Sequence, residues 1–376
     1  MPLRLTPEEL LRLRAAAHGF ATASPRSFLD VVRASSGLQA QDATAGTLSA
    51  RPRTRGLTEA DVRRARFEER SVVRTWAMRG TLHFLPAKDL GWLLPLLGPN
   101  AIARDRTRLM QLGLDADAVE RGVTVIRDAL ASHGPLTRDS VRQALAADGL
   151  PAAGQATQHL LYVAALRGFI CCSNDRGSGT HEFVLLSDWV ELGPPLPRAT
   201  ALAELARRYL HAAGVATVED FAAWSGLPLR DAREGWDAIR EERAEVELAR
   251  EQAWALSSRL PELLAAREYA PIVRLLPRFD SYLLSYRGRD AALDERHARH
   301  VLPGGGILNA TVLVDGRLVG VWQLHRDKKR ATMTVAPFEP LPPEIYAAIE
   351  VETDDLGRFL DMPVAVTFGA PLSSGS

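Results

Sequence analysis

The chain has 376 residues, room for two to four modules at roughly 100–200 residues each, and its 46% hydrophobic and 24% charged content suits an ordinary globular protein with material for a core. No run of about 18 apolar residues is present, which excludes a membrane-spanning helix, and the opening stretch MPLRLTPEELLRLR has no apolar signal core, so a cytoplasmic protein is expected. Lys and Arg number 46 and so do Asp and Glu, which argues against a protein that holds nucleic acid by bulk charge alone.

Thr6-Pro7 opens a first helix, residues 26–35 form a second that carries Phe28, Val31 and Val32, and Thr58 caps a third. A β-rich run at 72–78, a turn at Arg79-Gly80 and a second run at 81–84 then form a hairpin, read as the wing of a loose first module. Helices near 87–97 and 99–112 follow. Residues 51–79 hold nine arginines against four acids, and lysine occurs only at Lys88, Lys328 and Lys329. Arginine's planar fork suits phosphate, although GC-rich coding gives the same bias.

The clearest pattern lies at 116–132, where Val119, Val123, Ile126 and Leu130 recur at helical spacing. Gly134-Pro135 ends that helix, Thr137 caps the next at 138–147, and a third carries Leu160, Leu161 and Leu166. Two β-rich runs, 169–173 and 181–186, flank a polar loop at 174–180. Three helices and a hairpin are the order of a winged helix. The order repeats: helices at 200–213, at 218–225 behind Thr217, and from Pro228 through Ile239, then strands at 245–248 and 252–256. The last hundred residues are β-rich. Asp315-Gly316 joins strands 309–314 and 317–324 in a tight hairpin. A strand at 331–336, a helix at 342–360, a strand at 364–368 and a loose tail at 372–376 close the chain. The fold class is therefore mainly α with β, in modules 1–114, 115–195, 196–260 and 261–376.

Several chemistries are excluded because no P-loop, dinucleotide fingerprint or nucleophile elbow occurs. Adjacent Cys171 and Cys172 are too strained for a mutual disulfide and read as small apolar strand residues. His297 and His300 at i, i+3 have no obvious third ligand, so no metal site is expected. Two segments stand out. In Gly37-Leu38-Gln39-Ala40-Gln41-Asp42, two amides flank one small residue and project to one side if the backbone is extended. On composition alone the same residues read as a polar turn after a helix. The second segment, Arg74 to His83, reads on its own as a structural hairpin with Trp76 in the core.

Taken together, GLQAQD at 37–42, TWAMRGTLH at 75–83, TVEDFAAWSGL at 217–227, LLPRFDSYLLSYRGR at 275–289 and DGRLVGVWQ at 315–323 resemble the AlkZ/YcaQ-type bacterial DNA glycosylases along nearly the whole chain. The resemblance implies three tandem winged helices around a positively charged concave channel, with a β-hairpin that engages the duplex. It places the catalytic element on Gln39-Ala40-Gln41. Glutamine at the second polar position is similar to the AlkZ branch, which implies bulky N7-alkylpurine adducts and interstrand crosslinks as substrates, in some members for self-resistance to a genotoxin. Double-stranded DNA carrying alkylated purines is then the partner of a monomeric, cofactor-free, nucleoid-associated enzyme. Arg79, Thr81 and His83 near the first hairpin, and Arg326, Lys328 and Lys329 near the late one, are the candidate DNA contacts.

An amide is a poor general base, but an N7-alkylated purine is already cationic and departs as a neutral base. Two oriented amides then need only place a water and favour an oxocarbenium-like transition state. No lysine neighbours the pair in sequence and Lys88 falls on an exposed helix start, so an intact abasic site without lyase cleavage is expected. Two other readings stay open: a winged-helix transcription regulator and a protein-interaction scaffold.

Overall fold

A computed structural model describes residues 3–21, 24–176, 180–248, 251–289 and 291–372. The middle of the expected loop at 174–180, and all but the first residue of the expected tail at 372–376, lie outside the described residues. The result is a mixed α/β architecture. Thr6, Thr58, Thr137 and Thr217 each cap a helix, their side-chain oxygens accepting the backbone N–H three residues on. The expected repeat is present as helices Ala116–His133, Arg138–Ala147 and Ala156–Leu166 before one hairpin, and Arg198–Ala213, Val218–Ser225 and Leu229–Ala238 before another. Among the described residues no helix is long and apolar enough to cross a membrane.

The two helices expected at 87–97 and 99–112 are one continuous helix, Leu90–Gln111, with Pro95 and Pro99 inside it. Each proline removes a donor and costs about 3 kcal/mol in a helix interior. Burial of Leu90, Leu93, Leu94, Leu97 and Ala101 outweighs that cost. The helix also lies so close to its neighbours that a Cβ at Gly91 would collide with the Gly193 carbonyl, and one at Gly98 with that of Leu166. Propensity is local, and here tertiary packing overrides it.

Among the described residues three sheets organise the chain. The largest orders its strands Leu38–Gln39, Leu82–Pro86, Val72–Trp76, Ile170–Arg176, Thr180–Leu185 and Leu136–Thr137, all antiparallel. The hairpin read from sequence as a wing is thus the centre of a sheet: every residue of Val72–Trp76 and Leu82–Pro86 is buried. Arg74 opposite Cys172 joins it to the hairpin of the following repeat. Cys171 and Cys172 face different cores, as alternate residues of a strand must.

The second sheet runs Val273–Leu276, Thr311–Val314, Arg317–Arg326, Ala331–Pro337 and Val364–Phe368. Its last pair is parallel, made possible by the crossover helix Pro343–Leu360. Asp315 and Gly316 both have positive φ, 49° and 86°, the tight turn expected. Only glycine fits at 316, because a Cβ would strike the Leu11 carbonyl of helix Pro7–Ala17. The third sheet pairs Leu3–Arg4 parallel to Arg243–Glu247, beside Gln252–Leu256. The start of the chain is therefore fastened to residues more than two hundred positions away.

Candidate active site

Leu38–Gln39 is a short strand, Leu38 paired with Phe84 and Gln39 with His83, and Ala40 continues it with its N–H on the Leu82 carbonyl before the chain bends at Gln41. Leu38 and Ala40 are fully buried in a core shared with Val273, Leu275, Val312, Trp322 and Phe359 of the second sheet and its helix. Strand alternation then sends Gln39 to the opposite side, and Gln41, at the bend, returns its side chain to the Leu82 N–H. Ala40 has to be small: it lies against Gly46 of helix Ala43–Leu48, where even a Cβ would crowd it.

Both amides are held. Gln39 is 8% exposed, and its Oε1 accepts from Arg79 Nη2 at 2.6 Å. Gln41 is exposed, and its Oε1 accepts from the Leu82 N–H at 3.3 Å. In a continued ladder that N–H would bond the Ala40 carbonyl, which instead accepts from Arg74 Nε at 2.9 Å. Arg74 Nη2 also reaches the Gln41 carbonyl at 3.3 Å, and Nη1 lies 3.0 Å from His181 Nδ1. The fully buried Arg74 thus turns the chain out of the sheet at Gln41, and Asp42 restarts it by capping the next helix at 3.0 Å. Sequence reading places Arg74 only among the arginines of its segment and does not reach His181. Both are too far along the chain for spacing to link them to the amides.

Of the three hairpin residues expected to touch DNA, His83 is enclosed, while Arg79 and Thr81 are half-buried with polar atoms bonded to the protein's own carbonyls. Arg79 donates Nη1 to the carbonyls of Trp224 and Leu284 at 2.9 and 3.3 Å. Thr81 is half-buried and its hydroxyl donates to the Met78 carbonyl. His83 is 2% exposed behind Gln39, with Nδ1 2.9 Å from the Thr81 carbonyl. A carbonyl only accepts, so Nδ1 carries the proton. So enclosed a side chain offers no face to a phosphate, and His83 belongs to the support of Gln39. Trp76 is core as expected, stacked on Phe183.

Burial, and then the Arg79 charge, push His83 down to about 3, and burial with Arg53 does the same to His18. Both folded values lie below the ordinary 6.5. The unfolded chain therefore takes up protons first, and stability is full above that ordinary value and declines as pH falls toward the folded one. Each histidine gives a slope of about 1.4 kcal/mol per pH unit across the window. Melting at about pH 5 is expected well below melting at about pH 7.5, with a shallower fall for His83→Gln. A melting temperature flat over that range contradicts the assignment.

Two grooves lie beside helix Ala43–Leu48, and only the first reaches Asp42, the residue after Gln41. One, of about 590 Å³, is lined by Asp42, Ala45, Leu48, Arg278, Asn309 and Trp322 among others. The other, of about 630 Å³, includes Thr58, Arg63, Arg66, Phe67 and Arg358. Thr44, Arg326 and Leu360 line both, and neither groove is lined by Gln39 or Gln41. Arg326 is ion-paired to Glu59 at 3.1 Å. Lys328 and Lys329 are exposed at the tip of the hairpin from Arg317–Arg326 to Ala331–Pro337, closed by Asp327 N–H to the Arg330 carbonyl. Lys88 is exposed and paired with Glu191 at 2.6 Å. His297 is buried and stacked on Phe338, with ring centroids 4.5 Å apart.

A family described as DNA glycosylase AlkZ-like matches residues 32–359. An interstrand DNA cross-link repair glycosylase of Streptomyces sahachiroi is 28% identical over 345 residues, 88% of this chain and 90% of that protein. The solved structure of the Streptomyces sahachiroi DNA glycosylase AlkZ superposes with a TM-score of 0.82 at 25% identity, covering 98% of this chain and all of that one.

Proposed function

This chain belongs to the AlkZ-like family of DNA glycosylases, and on that premise we propose that it hydrolyses the N-glycosidic bond of cationic N7-alkylpurines in duplex DNA, bulky monoadducts and interstrand crosslinks included. The observation that carries the reading is the pair Gln39 and Gln41, one residue apart at the end of a short strand, each amide oxygen held by a donor, near grooves with arginines on their walls that the amides themselves do not line. In the reaction, water oxygen bonds to C1′ as the C1′–N9 bond breaks. The bonding pair passes to the purine and cancels its positive charge, and the water proton goes to solvent. The amides orient the water and the sugar; an acceleration of about 10³ asks about 4 kcal/mol of them. No group is required to protonate the leaving base, so neutral lesions such as uracil are expected to be poor substrates, and the product is an abasic site left unbroken.

We divide the chain into winged-helix modules at 1–114, 115–195 and 196–260 and a β-rich region at 261–376, on the repeated order of helices and hairpins. Helix Pro7–Ala17 is shared, since Leu10 and Leu13 pack with Val215, Val246 and Leu263. The protein acts as a monomer in this reading, and protection from a self-made genotoxin is its proposed physiological use.

The test is release of free alkylpurine from a duplex carrying one N7-alkylguanine. A wild-type protein that leaves every such duplex intact while binding one sequence tightly is a transcription regulator instead. The late hairpin supplies a separate check. Replacing Lys328 and Lys329 with alanine is expected to weaken binding to all duplexes alike and to reduce the slope of log affinity against log salt by about 2. An unchanged slope removes the hairpin tip from the DNA interface.

A further inference from the structure

We infer that Arg79 is a positioning residue for base excision, fixing which end of the Gln39 amide faces the substrate. The inference rests on the glycosylase reading above and extends it to a residue that does not itself touch DNA.

The side chain settles an ambiguity that a glutamine has on its own. A guanidinium only donates, so the atom 2.6 Å from Arg79 Nη2 is the amide oxygen, and Gln39 Nε2 is turned away from the arginine. A charged donor on that oxygen also polarises the amide and strengthens Nε2–H as a donor, which suits it to a sugar or phosphate oxygen, while the positive charge that develops at the sugar is left to the second lone pair of Gln41 Oε1.

The arginine is itself fixed, by the Trp224 and Leu284 carbonyls. Four of the five stretches that carry the family resemblance therefore meet at this one guanidinium: 37–42, 75–83, 217–227 and 275–289. All three acceptors are neutral, and among the described residues no carboxylate pairs with Arg79. Burial, and then the nearby Arg289, lower its pKa to about 10, which leaves it charged at neutral pH but with a desolvated cation.

Its backbone is costly too. Arg79 sits in the left-handed region at φ 55°, ψ 8°, a cost of order 1–3 kcal/mol for a residue with a Cβ. The next residue, Gly80, passes so close under Tyr162 that a Cβ would collide with its hydroxyl. Glycine at 79 would relieve the backbone, so what arginine contributes there is its side chain. A salt bridge would stabilise a buried arginine better than an amide does. Placing Gln39 is the function that accounts for the arrangement.

The test is single-turnover release from a duplex bearing one N7-methylguanine, measured with DNA affinity. Arg79→Met is expected to slow release about 100-fold, the scale of losing one oriented transition-state hydrogen bond, with affinity changed by less than about 3-fold. Arg79→Lys is expected to recover about 10-fold, since an ammonium still donates but without the fork. The double-mutant cycle decides between positioning and simple support: in a Gln39→Ala background, Arg79→Met is expected to cost less than about 3-fold more, because its partner is already gone. A purely structural role would give the same loss in both backgrounds together with a lower melting temperature, and that additive result overturns the inference. Should Arg79→Met not fold, Arg79→Lys runs the same cycle. A wild type that releases no base defeats the glycosylase reading and this inference with it; an active wild type with additive losses defeats the inference alone.

Discussion

Alanine at both Gln39 and Gln41 is expected to slow alkylpurine release by at least about 10³-fold, the rate that about 4 kcal/mol of oriented amide interaction supplies, while the protein stays folded. The fold survives because neither side chain fills a core: Leu38 and Ala40 do that, from the other face of the same strand. The structural losses are one bond to Arg79, about 1.5–3 kcal/mol because the donor is charged, and one to the Leu82 N–H, about 0.5–1.5 kcal/mol. The single variants should differ. Gln39 is nearly enclosed and held by a charged donor at 2.6 Å, whereas Gln41 is exposed and held by a neutral one at 3.3 Å. Charge-assisted bonds are roughly twice as strong, so Gln39→Ala is expected to cost more than Gln41→Ala. Measurement of free base by chromatography, beside a thermal melt, checks both statements. A folded double variant that still releases base at the wild-type rate removes the pair from the chemistry.

The largest stability effect is expected at the pair Arg53–Asp280. The two side chains are 2% and 4% exposed and joined through two bonds, at 2.7 and 2.8 Å. Arg53 also donates to Ser281 Oγ, and Asp280 Oδ1 accepts the Tyr282 N–H at 2.9 Å, capping the turn that follows. Asp280→Ala strands the Arg53 charge in an interior that cannot solvate it, and is expected to cost about 3–5 kcal/mol. Chemical denaturation measures this; a loss under about 1 kcal/mol would mean that water reaches Arg53. Burial alone would raise the Asp280 carboxyl, but the Arg53 charge and its hydrogen bonds outweigh it and hold it below the usual carboxylate range. A depressed folded value means that the contribution is present above the ordinary 3.8 and lost as pH falls through the folded value. The histidines should therefore weaken the protein first on acidification, and this pair only in stronger acid. Damage here also reaches the site, because Asp280 and the Leu284 carbonyl that holds Arg79 belong to one short turn.

Much of this was open to a reader of the sequence. The 3.6-residue rhythm of Val119, Val123, Ile126 and Leu130 is a statement about one helix and its core, and it holds because both are local. The same applies to the threonine caps and to Asp315-Gly316, where a dipeptide settles the turn. Gln39 and Gln41 were found because two amides around a small residue are unusual next to a helix end. The strand Val273–Leu276, which runs into the motif at 275–289, is not legible in the sequence, since four apolar and basic residues carry no period of their own. The uninterrupted helix through Pro95 and Pro99 was missed because its support comes from Leu166 and Gly193, which no local rule includes.

By itself the sequence determined most of the helices, the Asp315-Gly316 turn and the identity of the two amides, because each of these follows from neighbours a few residues apart, and five short stretches together carried the family. The tertiary structure alone decided that the first hairpin sits at the centre of a sheet shared with the following repeat, that Leu3–Arg4 pairs with a strand near 245, and that Arg79 bonds Gln39 with His83 behind it. Those facts depend on which distant surfaces exclude water together, and spacing along a chain does not specify the partner across it.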